Sequence, residues 1–121
     1  MAERLYTRSH EWIEFLDEDR ARIGLTPYAA EQMGALVFVN LPEEGDELVA
    51  GEALGDAESI KAVSDIVSPV TATVSAVNEE LLDQPALINQ DPEAAWLVEV
   101  HEIQDRDELL SEAEYRSLCE A

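Results

Sequence analysis

One residue type is almost absent from this chain of 121 residues, and its single occurrence marks where chemistry could be done. Lys61 is the only lysine. The other six basic residues are arginines, set against 28 acids. A guanidinium is planar, delocalised and always protonated, whereas a lysine amine can lose its proton and be acylated. Lys61 therefore reads as a modification site; the competing reading is a chance survivor of a lysine-poor composition. The remaining chemistry is thin. His10 and His101 are far apart, and no spacing suggests metal ligands. Cys119 has no partner to orient it as a nucleophile and reads as a packed residue on a helix face. Trp12 and Trp96 read as core or shallow-groove residues, and no glycine-rich phosphate loop is present. Without a catalytic constellation, the chain reads as a carrier and not an enzyme.

The elements around Lys61 must then present it. It lies in Gly55-Asp-Ala-Glu-Ser-Ile-Lys-Ala-Val-Ser-Asp65. On either side of that stretch lies an approximate repeat. Leu41–Leu54 overlays Ser68–Leu81, with Pro42 on Pro69, Gly51 on Asn78, Glu52 on Glu79 and Leu54 on Leu81. Glycine and asparagine are the residues that most readily take positive φ, so the match of Gly51 with Asn78 predicts the same turn twice. Two strand-turn-strand units joined head to tail would meet at a hairpin tip near residues 61 and 62, with the lysine projecting from it.

Along the chain, Leu5–Thr7, Trp12–Phe15 and Arg20–Gly24 read as strands, with a turn at Asp17–Asp19. Thr26 can cap a helix, Pro27 suits its first position and Gly34 its stop, which predicts a helix over Pro27–Met33. Ala35–Leu41 reads as a buried strand from its β-branched and aromatic content. Val70–Ala76 alternates with a period of two, and Trp96–Val100 is a further strand. Ser111 and Glu114 form a capping box for a C-terminal helix over about 111–120, with Tyr115, Leu118 and Cys119 on one face. Many short strands with regular turn signals predict a mainly β sandwich or flattened barrel forming a single domain over 1–121.

Composition sets outer bounds. Hydrophobic residues make up 46% of the chain, enough for one core without disulfide staples, and a single cysteine excludes an intrachain disulfide. No signal peptide or long apolar run is apparent, so a cytoplasmic or equivalent compartment is expected, and the chain is expected to be a monomer. The net charge of −21 argues against nucleic acid and anionic membrane as partners. The acids are spread along the chain, as on a salt-adapted surface, since screening shortens to about 3 Å at about 1 M salt.

Glu58-Ser-Ile-Lys-Ala-Val-Ser-Asp65, followed by Ser68-Pro-Val70 and Val77-Asn78, resembles the lipoyl-lysine hairpin of the glycine cleavage H-protein family. Ser9-His-Glu-Trp12 and Leu87-Ile-Asn-Gln-Asp-Pro92 also match that family's pattern. The resemblance runs from about Tyr6 to Tyr115. It implies a barrel-sandwich hybrid of the biotinyl and lipoyl carriers, with a hairpin at about 55–69 and lipoate joined to Lys61. It further implies that the arm shuttles the aminomethyl group of glycine between glycine decarboxylase, aminomethyltransferase and dihydrolipoamide dehydrogenase, after attachment by a lipoate ligase or lipoyl transferase. Carried over by position, Glu58 belongs to the lysine motif, and Glu11 and Asp65 line a cleft that shelters the loaded group. A carboxylate there would hold the protonated amine by a charge-assisted hydrogen bond.

Three departures accompany the match. Ala72 stands where the family usually has glycine, in what reads as a turn after Pro69-Val70. Ala35 follows Gly34 in place of an acid. Ala94-Ala95 precede Trp96, where glycine is common. Alanine resists positive φ, so these turns should take another geometry, and the partner surface could differ. The alternative is an H-like lipoate-binding protein serving a heterodisulfide-reductase-like sulfur oxidation route or another lipoyl relay. A biotin carrier fits less well, because the neighbours of Lys61 are Ile60 and Ala62 and not methionines. An unmodified acidic binding domain is the remaining reading.

Overall fold

The structure is a computed structural model that describes residues 3–120. Its strands are β1 (Glu3–Tyr6), β2 (Glu11–Phe15), β3 (Ala21–Leu25), β4 (Leu36–Asn40), β5 (Glu47–Leu48), β6 (Ala53–Ser59), β7 (Val63–Val67), β8 (Val70–Val77) and β9 (Trp96–Arg106). Its helices are α1 (Pro27–Met33), α2 (Glu80–Asp83), α3 (Ala86–Gln90) and α4 (Glu112–Glu120). A six-stranded sheet runs β1-β2-β3-β9-β8-β5, and a three-stranded sheet runs β4-β6-β7. Every strand pair is antiparallel. The two sheets share one core that includes Ile13, Ile23, Val39, Ile66, Val74 and Leu97. This is the expected barrel-sandwich hybrid, with one short helix in the first third of the chain and one at its end.

The local signals explain most of the elements. Thr26 Oγ1 accepts the Ala29 N–H at 3.2 Å, and Gly34 stops α1 at φ 79 with its N–H on Ala30 O. Glu114 accepts the Ser111 N–H at 2.9 Å while Ser111 Oγ accepts the Glu114 N–H at 3.2 Å, so the capping box forms in both directions. In β8, Val70, Ala72 and Val74 point into the core, in step with the alternation. Glycine is required at residue 55, because a methyl there would stand 2.1 Å from the Asn40 carbonyl oxygen where β6 crosses β4.

Several expectations need correction. Gly51 takes φ 86, but Asn78 is not among the residues with positive φ, so the two halves of the repeat do not share a turn. Asn78 instead uses its amide to donate to Trp96 O at 2.9 Å. Ala72 is not in a turn; it lies inside β8, paired with Leu48 and 3% exposed. The strand at 36–40 is only half buried. A bulge between Leu36 and Phe38 leaves Val37 and Phe38 exposed while Leu36 and Val39 face the core. Strand β9 extends to Arg106, past the expected end at Val100, because β8 supplies partners for the polar residues up to Arg106. Helices α2 and α3 had no sequence signal, being too short to show a helical period.

Charge is unevenly compensated. Among the described residues, five arginines pair with acids: Arg4 with Glu14, Arg8 with Glu108, Arg20 with Asp17, Arg22 with Glu99 and Arg116 with Glu112. Exposed pairs of this kind contribute roughly 0–1 kcal/mol each, and most of the 28 acids have no such partner. Like-charge repulsion therefore opposes compaction. The melting temperature is expected to rise from low salt to molar potassium chloride as the repulsion is screened. Thermal melts across that range check it, and a flat or falling value would reject the role assigned to surface charge.

Candidate functional site

Strands β6 and β7 form a hairpin whose tip is closed by Ser59. The Ser59 N–H donates to Ala62 O at 2.8 Å, and Ser59 Oγ accepts the Ala62 N–H at 3.2 Å. Ile60 and Lys61 are thus the two loop residues. Neither has positive φ, so this is not the primed turn usual for two-residue hairpins. The Ser59 side chain does the closing that a glycine turn would otherwise do. Lys61 is exposed at the tip and, among the described residues, makes no salt bridge. The arginines contrast with it. Five are ion-paired, and the sixth, Arg106, stacks 4.3 Å over the Phe15 ring.

The lysine stem lies along the C-terminal end of α1. A methyl group on Gly34 would stand 3.4 Å from Lys61 Cε and 3.8 Å from Nζ. Asn89, in the sequence motif of α3, fixes this end of the helix. Its Nδ2 donates to Gly34 O at 2.8 Å, and its Oδ1 accepts the Leu36 N–H at 2.9 Å. One amide therefore ties the α1 stop to the start of β4. Sequence reasoning noted the motif but not this role.

Beside the hairpin is a cavity of about 250 Å³ between the β1–β2 turn, α1 and β7. Glu11 and Asp65 both line it, with His10, Tyr28, Met33 and Ser64. The two expected carboxylates are thus brought together with the lysine hairpin. Glu58 is not in this lining; it is exposed on β6, opposite Phe38 on one side and Val63 on the other. His10 and Tyr28 were not anticipated. His10 takes φ 72, stacks at 4.4 Å on Tyr28, and pairs its Nδ1 with the Tyr115 hydroxyl at 2.8 Å. Burial pushes the His10 imidazole below its ordinary value and the Tyr115 phenol above its own.

The two carboxylates differ in kind. Glu11 is 1% exposed. Its Oε1 accepts the Thr7 and Ser9 hydroxyls, each at 2.6 Å, and its Oε2 accepts the Val67 N–H at 3.3 Å. Alternation of Thr7, Ser9 and Glu11 is the sequence trace of this arrangement. A carboxylate has roughly four acceptor positions, so three are filled and one remains at Oε2. Asp65 is exposed, and among the described residues its carboxylate has no hydrogen-bond or ion-pair partner. It lies directly across the ladder from Asp56, a like-charge pair that opposes folding. The cleft can therefore accept a cation at Asp65 and offers a pre-set acceptor at Glu11. Among the described residues, no group of three or more side chains is placed to hold a metal, and no helix is long and apolar enough to cross a membrane.

Burial raises the Glu11 carboxyl above its ordinary value of 4.5, with the Ser9, Thr7 and Val67 hydrogen bonds opposing the shift. A group raised on folding contributes stability that is fully present below its unfolded value and lost as pH rises through the folded one. The melting temperature of the native chain minus that of Glu11→Gln should therefore grow as pH falls from 7 towards 4.5. Paired melts read it, and a difference that does not change with pH would contradict the shift.

Comparison with known proteins places this geometry among relatives. The glycine cleavage H-protein family profile matches residues 4–121. A glycine cleavage system H protein from Lachnoclostridium phytofermentans is 54% identical over 111 residues, covering 92% of this chain and 87% of its own. A probable glycine cleavage system H protein from Haloarcula marismortui is 48% identical, covering 95% and 92%. The crystal structure of a glycine cleavage system H protein from Mycobacterium marinum superposes with a TM-score of 0.92 at 39% identity, covering 98% of each chain.

Proposed function

The chain belongs to the glycine cleavage H-protein family, and on that premise we propose that it is a lipoyl carrier modified at Lys61. The observation that carries the reading is the state of Lys61. It is the only lysine, stands at an exposed two-residue tip and is not held in a salt bridge among the described residues, while every arginine is engaged. When bound, lipoate supplies a dithiolane that accepts a group by reductive opening and is restored by thiol–disulfide exchange. The protein supplies position: Ser59 closes the turn, and Gly34 leaves space beside the lysine stem because it has no side chain.

In this reading the cargo is the aminomethyl unit of glycine. The chain receives it from glycine decarboxylase, presents it to aminomethyltransferase and is reoxidised by dihydrolipoamide dehydrogenase. A lipoate ligase or lipoyl transferase attaches the cofactor. The chain acts as a carrier and not a catalyst, and as a cytoplasmic monomer. Asp65 offers the unengaged carboxylate for the cargo's protonated amine, and Glu11 offers one acceptor fixed by Thr7, Ser9 and Val67. The departures that raised a sulfur-oxidation relay are partly internal, since Ala72 and Ala95 are buried and do not reshape a partner-facing surface. That supports glycine cleavage over the relay.

Incubation with lipoate, ATP and a lipoate ligase should add one lipoyl group, seen by intact mass, and Lys61→Ala should abolish it. Retention of the adduct in the variant would exclude Lys61 as the attachment site.

Loading the lipoylated chain with glycine decarboxylase then tests the cleft. Asp65→Asn removes one charge-assisted contact, nominally about 1.5–3 kcal/mol if desolvated. The lifetime of the loaded mass peak should shorten about tenfold, at roughly 1.4 kcal/mol per decade. Glu11→Gln should shorten it less, because most of that carboxylate's acceptor positions are already filled. Equal lifetimes in the native chain and Asp65→Asn would remove Asp65 from the cleft's function. A lipoylated native chain that cannot be loaded by its own organism's decarboxylase would overturn the glycine reading.

A further inference from the structure

The outer face of the β4-β6-β7 sheet reaches the cleft at Asp65, and away from it surrounds the lysine with exposed apolar groups. The bulge in β4 leaves two consecutive large side chains out, Val37 at 52% and Phe38 at 51% exposure. A regular strand would turn one of them inward, and bulges re-aim side chains in this way beside functional sites. Phe38 pairs with Glu58, and Glu58 with Val63, so the three share one cross-strand row. Val63 is 64% exposed, and Ile60 at the tip is 86% exposed. Apart from these four, only Val49 and Leu82 are large hydrophobic residues with comparable exposure among the described residues. Isolated residues of that kind are ordinary on a surface, whereas a cluster marks a contact.

We propose that Val37, Phe38, Val63 and Ile60 form the docking surface for the enzyme that builds the amide on Lys61, and not for the enzymes that use the finished arm. The inference rests on the lipoyl-carrier reading above. The reason is reach. The unmodified amine sits on a four-carbon stem, so the enzyme must bring Nζ itself to its acyl donor and must press on whatever flanks the tip. Once the arm is attached, its far end extends beyond the tip and the flanks need not be touched. In the attachment step the Lys61 amine attacks the carbonyl of a lipoyl adenylate. A C–N bond forms, the bond from acyl carbon to phosphate oxygen breaks, AMP departs and the amine loses a proton. The matching partner surface is an apolar socket with a basic rim, because Asp56, Glu58 and Asp65 border the apolar row.

The test is lipoylation kinetics of the full chain with lipoate, ATP and ligase, read by intact mass for Phe38→Thr and Val63→Thr. Threonine keeps the β-branched preference for strand, and Val63 lies on an exposed edge strand, so that variant is informative even if Phe38→Thr melts early. Leu82→Thr is the distant control. KM should rise about tenfold in either hairpin-face variant, the scale of an interface anchor, with kcat nearly unchanged and Leu82→Thr like the native chain. Fully lipoylated variants should be reduced by dihydrolipoamide dehydrogenase at the native rate. An unchanged KM in Val63→Thr and in folded Phe38→Thr overturns the docking surface while leaving the carrier reading intact. An equal fall in lipoylation and reduction overturns its assignment to the amide-forming enzyme. Failure of the native chain to take up lipoate overturns the carrier reading, and the surface with it.

Discussion

A single antiparallel ladder, belonging to both sheets at once, sets the position of the lysine. It begins where Gly45 N–H meets Val74 O and Val74 N–H meets Asp46 O, and it continues through Glu47 opposite Thr73 and Leu48 opposite Ala72 in the larger sheet. It crosses between sheets where Gly51 N–H donates to Ser68 O at 2.9 Å and Ser68 N–H donates to Glu52 O at 2.8 Å. It then runs from Ala53 opposite Val67 to Glu58 opposite Val63 and closes at Ser59 and Ala62. Ser68, fully buried at the crossing, gives its hydroxyl to Val70 O at 2.7 Å, so the bend leaves no orphan polar group there. A slip of one residue along it would turn the side chains of the slipped strand to the opposite face and move Lys61 off the tip. The apolar core and the placement of the lysine are specified by the same register.

The second tie joins this ladder to the rest of the barrel. Glu11 reaches from the start of β2 to the Val67 N–H of β7, with Thr7 and Ser9 satisfying its other oxygen. Burying a carboxylate is costly unless its hydrogen bonds are supplied, and here three donors converge on it. The turn that delivers those donors places His10 at φ 72, a strained conformation for a residue other than glycine. The structure over-determines that strain. His10 O accepts the Thr26 N–H, its ring pairs with Tyr28, and its Nδ1 meets the Tyr115 hydroxyl, which also contacts Thr26 Oγ1 at 2.6 Å. Helix α4 is thus fastened to the wall of the cleft through one phenol.

Legibility in the sequence followed the range of each interaction. Helix α1 was readable to the residue because Thr26, Pro27 and Gly34 act within a single turn, and the α4 capping box for the same reason. The hairpin tip was readable because one residue type was reserved for it. The equivalence of Gly51 and Asn78 failed because pairing with β9, and not a local turn preference, decides the backbone at Asn78. The exposure of Val37 and Phe38 depends on a bulge set by the partner strand β6, which no pattern within β4 reveals. Ala72 was misplaced because a family glycine suggested a turn where the core wants a small buried residue. Of the cleft, Glu11 and Asp65 came from resemblance alone; their difference in hydrogen bonding is tertiary and has no local sign.

That difference gives the cleft an electrostatic direction. Asp65 and Asp56 oppose each other across the β6–β7 ladder at some cost to folding, and local conflicts of this kind concentrate at functional sites. The one basic residue on the hairpin, Lys61, is four residues from Asp65 in sequence and, among the described residues, forms no salt bridge with it. Acylation turns that amine into a neutral amide and removes its charge. The hairpin then carries one positive charge fewer beside its carboxylates. Glu11 contributes less to this change, because its charge is already spread over three hydrogen bonds in a desolvated setting. In the proposed carrier reading, acylating the lysine attaches the arm while Asp65, which has no partner among the described residues, stays available to a cation brought in on that arm. An arginine at position 61 could not carry such an arm, since its guanidinium keeps its proton and is not acylated under such conditions.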